Sequence, residues 1–214
     1  NYYPVSYMER EEGIAFVALG FGRTIADGGK SLRFSPKYPN ILPQYYSIRS
    51  TIQNSQHEFF ALDLYNGESP LREGESENLK IYSLEDAEQD KELKHLASVV
   101  CSNDNLLRDS LEYDGTRVIS FASILKYKRL PLADIINELL ELGSIALGCP
   151  VEIEFAVNLF EGDRKDEFSL LQIKPMVIGG MHTAELLDEE SPQDILCKSD
   201  QVLGDGVNRE IKHI

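Results

Sequence analysis

The sequence is poor in the features that mark several common protein classes. Only three cysteines occur in 214 residues, Cys101, Cys149 and Cys197. They lie far apart, no two have zinc-ligand spacing, and their odd number implies no disulfide framework, so three reduced thiols are expected. No apolar run approaches the ~20 residues of a bilayer span, and no membrane association is expected. Basic residues are in deficit: 21 Lys and Arg against 36 Asp and Glu give a formal net charge of -15 at pH 7. Such a surface repels phosphate backbones, so general nucleic-acid binding is not expected. No P-loop and no complete GxGxxG is present. The opening Asn1-Tyr2-Tyr3-Pro4 has no initiator methionine, no basic n-region and no apolar h-region. The expectation is a piece of a longer cytoplasmic protein.

What is there suffices for a folded domain. Hydrophobic residues make up 42% and charged residues 27% of the chain, which allows a core under an ordinary surface. Residues 13–20 (GIAFVALG) read as a short strand buried on both faces. A short strand is expected around 32–34 and another over 57–65. Residues 66–78 are turn chemistry, a hairpin connection or a mobile loop. From Asp86 to about Val100 the apolar positions Leu93, Leu96, Ala97 and Val100 predict an amphipathic helix. Residues 116–124 read as a strand running into a helical turn. The clearest helix is 131–148, with Pro131 in the first turn, apolar residues at helical spacing and Gly148 as the stop.

After Pro150 the period switches to two. In VEIEFAVNL the odd positions 151 to 159 are all apolar, the strongest strand signal in the chain. FSLLQIKP follows a polar loop over 161–167, so 151–174 predicts an antiparallel hairpin. Pairing even positions with even positions, for example 154 opposite 174, puts Glu154, Gln172 and Lys174 on one face, with Ala156 leaving room between them. A slip by one residue would scatter the set. A carboxylate, an amide and an ammonium on one face suit magnesium-nucleotide chemistry. The pattern by itself favours the plainer reading, in which Glu152, Glu154 and Asn158 form the wet face of a half-exposed sheet.

A second feature opposes the overall charge. Residues 20–40 carry Arg23, Lys30, Arg33 and Lys37 against Asp27 alone. With Gly20, Gly22, Gly28 and Gly29 allowing close backbone approach, this is a candidate anion site, or else a solvated basic loop.

These segments resemble a known family. GIAFVALGFGRTIADGGKSLRFSPKYP is similar to the glycine-rich region of phosphoenolpyruvate synthase-related proteins, where an LGLG…V…GG…RFSPKYP pattern recurs. VEIEFAVNL resembles the DIEWA strand of phosphoenolpyruvate synthase and pyruvate phosphate dikinase, and LLQIKPM resembles its partner strand, QxRP. The three cover about residues 10–40 and 150–177 in the family's order. The resemblance implies an ATP-grasp-like domain binding ATP and Mg2+, from which a histidine on a separate swivelling domain carries phosphoryl to pyruvate to make phosphoenolpyruvate. By motif position Glu154 matches the metal-binding glutamate and Gln172 the glutamine of the same site. Lys174 falls where the family has arginine, and would act on phosphate as a point charge rather than a planar fork. Gly20, Gly22 and Arg23 fall in the nucleotide-binding glycine-rich loop, although the synthases have glutamate where Arg23 stands.

The family's other ATP-grasp lobe has no counterpart in the sequence. Nor does its phosphohistidine signature, since in Gly179-Gly180-Met181-His182 the histidine follows the glycines too soon. His57, His95 and His213 read as structural or surface residues. The expected fold is α+β: a C-terminal ATP-grasp-like lobe over 1–180, with a mainly antiparallel sheet and helices packed on one face. An acidic tail over 181–214, with a loose helix at 183–190, leads towards a missing phosphohistidine domain. Two functions follow as expectations. One is part of a dikinase-type phosphotransferase, whose acceptor is pyruvate or another molecule such as a glucan or an antibiotic. The other is a non-catalytic regulatory or assembly module with a degenerate nucleotide site.

Overall fold

The computed structural model describes residues 8–9, 12–63 and 78–176. The tail, its helix at 183–190, His182, Cys197, His213 and most of the 66–78 turn region lie outside the described residues. The fold is mixed α+β, and among the described residues every pairing between strands is antiparallel. The described strands form four small sheets rather than one: three of two strands and one of three. The chain divides into two compact units, Glu12–Glu138 and a second described here mainly through 139–176.

In the first unit β1 (Ala15–Val17) pairs with β2 (Leu32–Phe34). Ala15 and Val17 are buried but Phe16 is 43% exposed, so the 13–20 run makes a strand with one wet face, not two buried ones. A single turn of helix, α1 (Arg23–Ala26), joins the two strands. The helix α2 (Ile48–Asn54) opens on a capping box in which the Ser47 hydroxyl and Ser50 satisfy each other's backbone N–H groups. β3 (Glu58–Leu62) then pairs with β4 (Leu79–Ser83), a strand the sequence pattern did not disclose.

The predicted helix over 86–100 breaks into three pieces. A short helix, α3 (Leu84–Gln89), starts from a second capping box between Ser83 and Asp86. Lys91 turns the chain through a left-handed conformation at φ 64, and a 3-10 turn spans Glu92–His95. Residues Ala97–Cys101 then form β5, the central strand of the three-stranded sheet, with all five residues buried. Val99 and Val100 sit at helical spacing from Leu96 and Leu93, but β-branched side chains buried on both faces favour a strand. Its neighbours are β6 (Leu107–Arg108) and β7 (Gly115–Ile119). The turn after β7 is helix α4 (Ala122–Leu125), as its sequence indicated.

Several buried polar groups in this unit are matched, whereas Thr24 Oγ1 and Ser35 Oγ have no hydrogen-bond partner among the described residues. The Gln56 amide accepts from Leu19 N–H at 2.8 Å and donates to the carbonyls of Leu19 and Glu58, each at 2.9 Å. Ser55 Oγ accepts from Ile119 N–H at 2.7 Å, and Tyr45 OH donates to the Ile119 carbonyl at 2.6 Å. Burial pushes the Tyr45 hydroxyl pKa up to about 12, against a smaller lowering by its bond with Ser55.

The long helix is α5 (Leu132–Leu147), as its spacing predicted. Its N-terminal part belongs to the first unit and buries Leu132 and Ile136; its C-terminal part belongs to the second. There it packs on the hairpin β8 (Val151–Asn158) and β9 (Glu167–Pro175) through Gly143. A Cβ at 143 would lie 2.6 Å from Ile173 Cδ1 and 3.0 Å from Val151 Cγ2, so the missing side chain sets how closely helix and hairpin meet. Among the described residues no helix is long and apolar enough to cross a membrane.

Candidate functional site

The hairpin carries three of the six residues singled out for chemistry. Its register is Glu152 opposite Lys174 and Glu154 opposite Gln172, two residues away from the expected pairing of 154 with 174. A shift of two preserves which side of the sheet each residue occupies, so Glu154, Gln172 and Lys174 share one face as predicted, with Glu152 added. The opposite face carries Ile153 against Ile173 and Val157 against Phe168, with the Phe155 and Phe168 rings stacked at 5.3 Å.

One irregularity keeps both faces in phase. Phe155 pairs with Leu170, not Leu171, because a bulge interrupts the ladder between Glu154 and Phe155. Leu171 is the extra residue and is 65% exposed. Were Leu171 instead paired in a continuous ladder, strict alternation would turn Ser169 and Glu167 to the apolar side. With the bulge, Phe168, Leu170 and Ile173 all stay there.

On the polar face the Lys174 ammonium sits between two carboxylates. Its Nζ lies 3.2 Å from Glu152 Oε1 and 3.4 Å from Glu154 Oε1, with all three side chains about half exposed. Bonding to Glu152, then to Glu154, holds the Lys174 ammonium above the usual lysine pKa, so its charge is secure at any physiological pH. Glu152 was legible only as one of the wet even positions. The observed register gives it the closer contact with the lysine.

The other three predicted residues, Gly20, Gly22 and Arg23, lie in the first unit. Gly20 is needed by the fold itself. It adopts φ +87, and a Cβ there would stand 2.5 Å from the Phe60 carbonyl oxygen and 3.0 Å from Phe59 Cβ. The adjacent Phe21 N–H donates to that same Phe60 carbonyl at 2.9 Å, so it is committed to β3. Gly22 has open space around it and φ -58. Arg23 donates through Nε to Asp27 at 2.9 Å, and its guanidinium lies 5.5 Å from the Phe60 ring centroid. Asp27 was counted as the only acid in the basic loop, and it neutralises the residue most central to the anion-site reading. Lys37 is likewise paired, with Glu12 at 2.6 Å.

A groove of about 500 Å³ opens in the first unit, and none of the predicted residues lines it. His57, Glu85, Glu88, Thr116 and Arg117 are among its walls. Arg117 is fully engaged: its Nε and Nη2 grip both Glu88 oxygens at 2.7 to 3.2 Å, and its remaining donors reach the carbonyls of Leu111, Tyr113 and Gly115. The guanidinium holds Glu88 below the usual carboxylate range. His57 Nε2 lies 2.9 Å from the Ile52 carbonyl. Three of its walls, His57, Glu88 and Arg117, are therefore already paired with protein.

Glu154 and Gln172 offer hard oxygen donors of the kind magnesium takes, and magnesium commonly uses one or two protein carboxylates beside water and phosphate. The donor chemistry of this face thus fits a partial magnesium site. Among the described residues no group of three or more His, Cys, Asp or Glu is placed to hold a metal by itself. Comparison with protein-family models, curated proteins and solved structures yields no match to this chain.

Proposed function

We propose that the chain is the C-terminal lobe of an ATP-grasp-like nucleotide-binding domain in a phosphoenolpyruvate synthase-like phosphotransferase. One observation carries this reading: the hairpin register places Glu154 directly opposite Gln172, with the Lys174 ammonium 3.4 Å from the Glu154 carboxylate. In the parent protein Glu154 and Gln172 hold Mg2+ and Lys174 stabilises charge on the nucleotide phosphates. Bound ATP supplies the phosphoryl group, which a histidine on another domain accepts and carries to pyruvate. Residues of this chain bind and orient; the accepting histidine lies elsewhere.

The test is ATP-dependent phosphorylation of the full-length parent protein, followed with radiolabelled ATP. Glu154→Gln should abolish it. Undiminished labelling of Glu154→Gln would refute the assignment. The 214-residue chain alone should bind Mg-ATP weakly or not at all, since the other half of the clamp is missing. Micromolar binding by calorimetry would refute that expectation.

The alternative, a non-catalytic regulatory or assembly module, is favoured by one observation. Lys174 is held by two carboxylates and Arg23 by Asp27, so both cations are already countered. Absence of phosphorylation in the unsubstituted parent protein would select this reading.

A further inference from the structure

We infer that the groove walled by His57, Glu85 and Thr116 binds a small primary ammonium ligand, with Glu85 as its counter-charge. The groove lies wholly in the first unit, and its volume of about 500 Å³ suits a small molecule. Its polar walls divide into groups that are spent and groups that are free. Every N–H of Arg117 is spent, on Glu88 through Nε and Nη2 and on the carbonyls of Leu111, Tyr113 and Gly115. The guanidinium has no donor left for an anion, and its charge cancels that of Glu88. His57 donates through Nε2 to the Ile52 carbonyl at 2.9 Å, which leaves Nδ1 as an acceptor in the neutral ring. Among the described residues neither the Glu85 carboxylate nor the Thr116 hydroxyl has a hydrogen-bond or ion-pair partner. What the groove leaves unmet is thus a net negative charge and a set of acceptors. An ammonium group, positive and made of donors only, matches both. No Phe or Tyr is among the walls, so there is no ring face for a quaternary ammonium. Leu84 is the apolar wall against which a short alkyl chain can lie.

The probe is n-butylammonium, titrated into the 214-residue chain at about pH 8, where an ordinary imidazole is neutral. The readout is the His57 ring signals in nuclear magnetic resonance spectra, identified by their loss in His57→Gln. They report the groove and not ammonium held elsewhere on an acidic surface. They should move saturably, with a dissociation constant in the millimolar range set by so small a ligand. Glu85→Gln should weaken binding about tenfold, the worth of one charge-assisted hydrogen bond. Thr116→Val should weaken it about threefold. Both side chains are exposed and unpartnered, so both variants should keep the far-ultraviolet circular dichroism of the unsubstituted chain. Glu141→Gln removes the same charge from the exposed side of α5 and should change affinity by less than about twofold, since salt screens distant charges. Tetramethylammonium carries the charge without an N–H, and butyrate carries the opposite charge. Neither should move the His57 signals.

Equal movement with tetramethylammonium, or equal weakening by Glu141→Gln, would overturn the site in favour of general attraction to a charged surface. Undiminished binding in Glu85→Gln would overturn the counter-charge on which the site is built. A response to butyrate alone would reverse the sign of the ligand and refute the inference. No saturable movement with n-butylammonium would overturn the site altogether.

Discussion

Replacing Gly20 with alanine should destabilise the first unit, whereas the same change at Gly22 should not. A Cβ at position 20 meets the Phe60 carbonyl oxygen at 2.5 Å, and the backbone there is at φ +87. Placing an L-residue in the left-handed region costs about 1–2 kcal/mol. Relieving the contact moves the 19–21 turn off β3 and weakens the 2.9 Å bond from Phe21 N–H to Phe60 O, costing about 0.5–1.5 kcal/mol more. The sum is about 1.5–3.5 kcal/mol, large beside the 5–15 kcal/mol of a typical domain. Gly22 already has ordinary helical φ and nothing within 4 Å of a built Cβ. Alanine there should be neutral, or stabilise by up to about 1 kcal/mol through the unfolded chain. Urea denaturation followed by circular dichroism, with no nucleotide present, measures both. Equal effects at the two positions, or a loss under 0.5 kcal/mol at Gly20, would show that the close approach to β3 does not dictate glycine.

Three further outcomes are expected. Burial holds the Tyr45 hydroxyl neutral up to about pH 12 while the unfolded chain ionises near 10. The folded state therefore keeps a proton the unfolded state has lost, and stability on the order of 2–3 kcal/mol should disappear as pH rises from 10 to 12. Tyr45→Phe should flatten that fall in alkaline urea titrations. Glu88 behaves in the opposite sense: its folded pKa is depressed, so its contribution is present above the ordinary carboxylate range and fades as pH drops through the folded value. Arg117→Lys should remove most of that acid dependence and cost about 1–2 kcal/mol at neutral pH, because an ammonium cannot replace the fork that grips Glu88 and three carbonyls. Deleting Leu171 should leave the hairpin folded, with the Ile173 and Phe168 amide signals in nuclear magnetic resonance spectra retaining strand character; loss of both would show that the bulge itself is required.

The parts of the fold that could be read in advance are those with one dominant period. The helix over 132–147 and the strand over 151–158 each repeat apolar residues cleanly, and both fall where expected. The stretch from 86 to 101 does not. Its apolar residues satisfy helical spacing, but the left-handed turn at Lys91 and the burial of all five β5 residues are tertiary matters that a local pattern does not express. The shared face of Glu154, Gln172 and Lys174 was legible because only parity mattered to it. The register was not, since a displacement of two leaves every residue on the same side. The pairing of Arg23 with Asp27 was within reach, being an i,i+4 pair on a helix. It was hidden because residues 21–40 read as loop-rich.

The bulge in the hairpin has a consequence for how this segment can change length. Remove Leu171 and the strand reads Phe-Ser-Leu-Gln-Ile-Lys, alternating without a break. Every present partnership across the ladder would survive the loss. One residue is thus surplus to the pairing, and because Leu170 and Leu171 are the same residue type, loss of either gives the same chain. A lineage could gain or shed that residue in a single event without disturbing the charged residues at the base, which makes position 171 a natural seam in the strand.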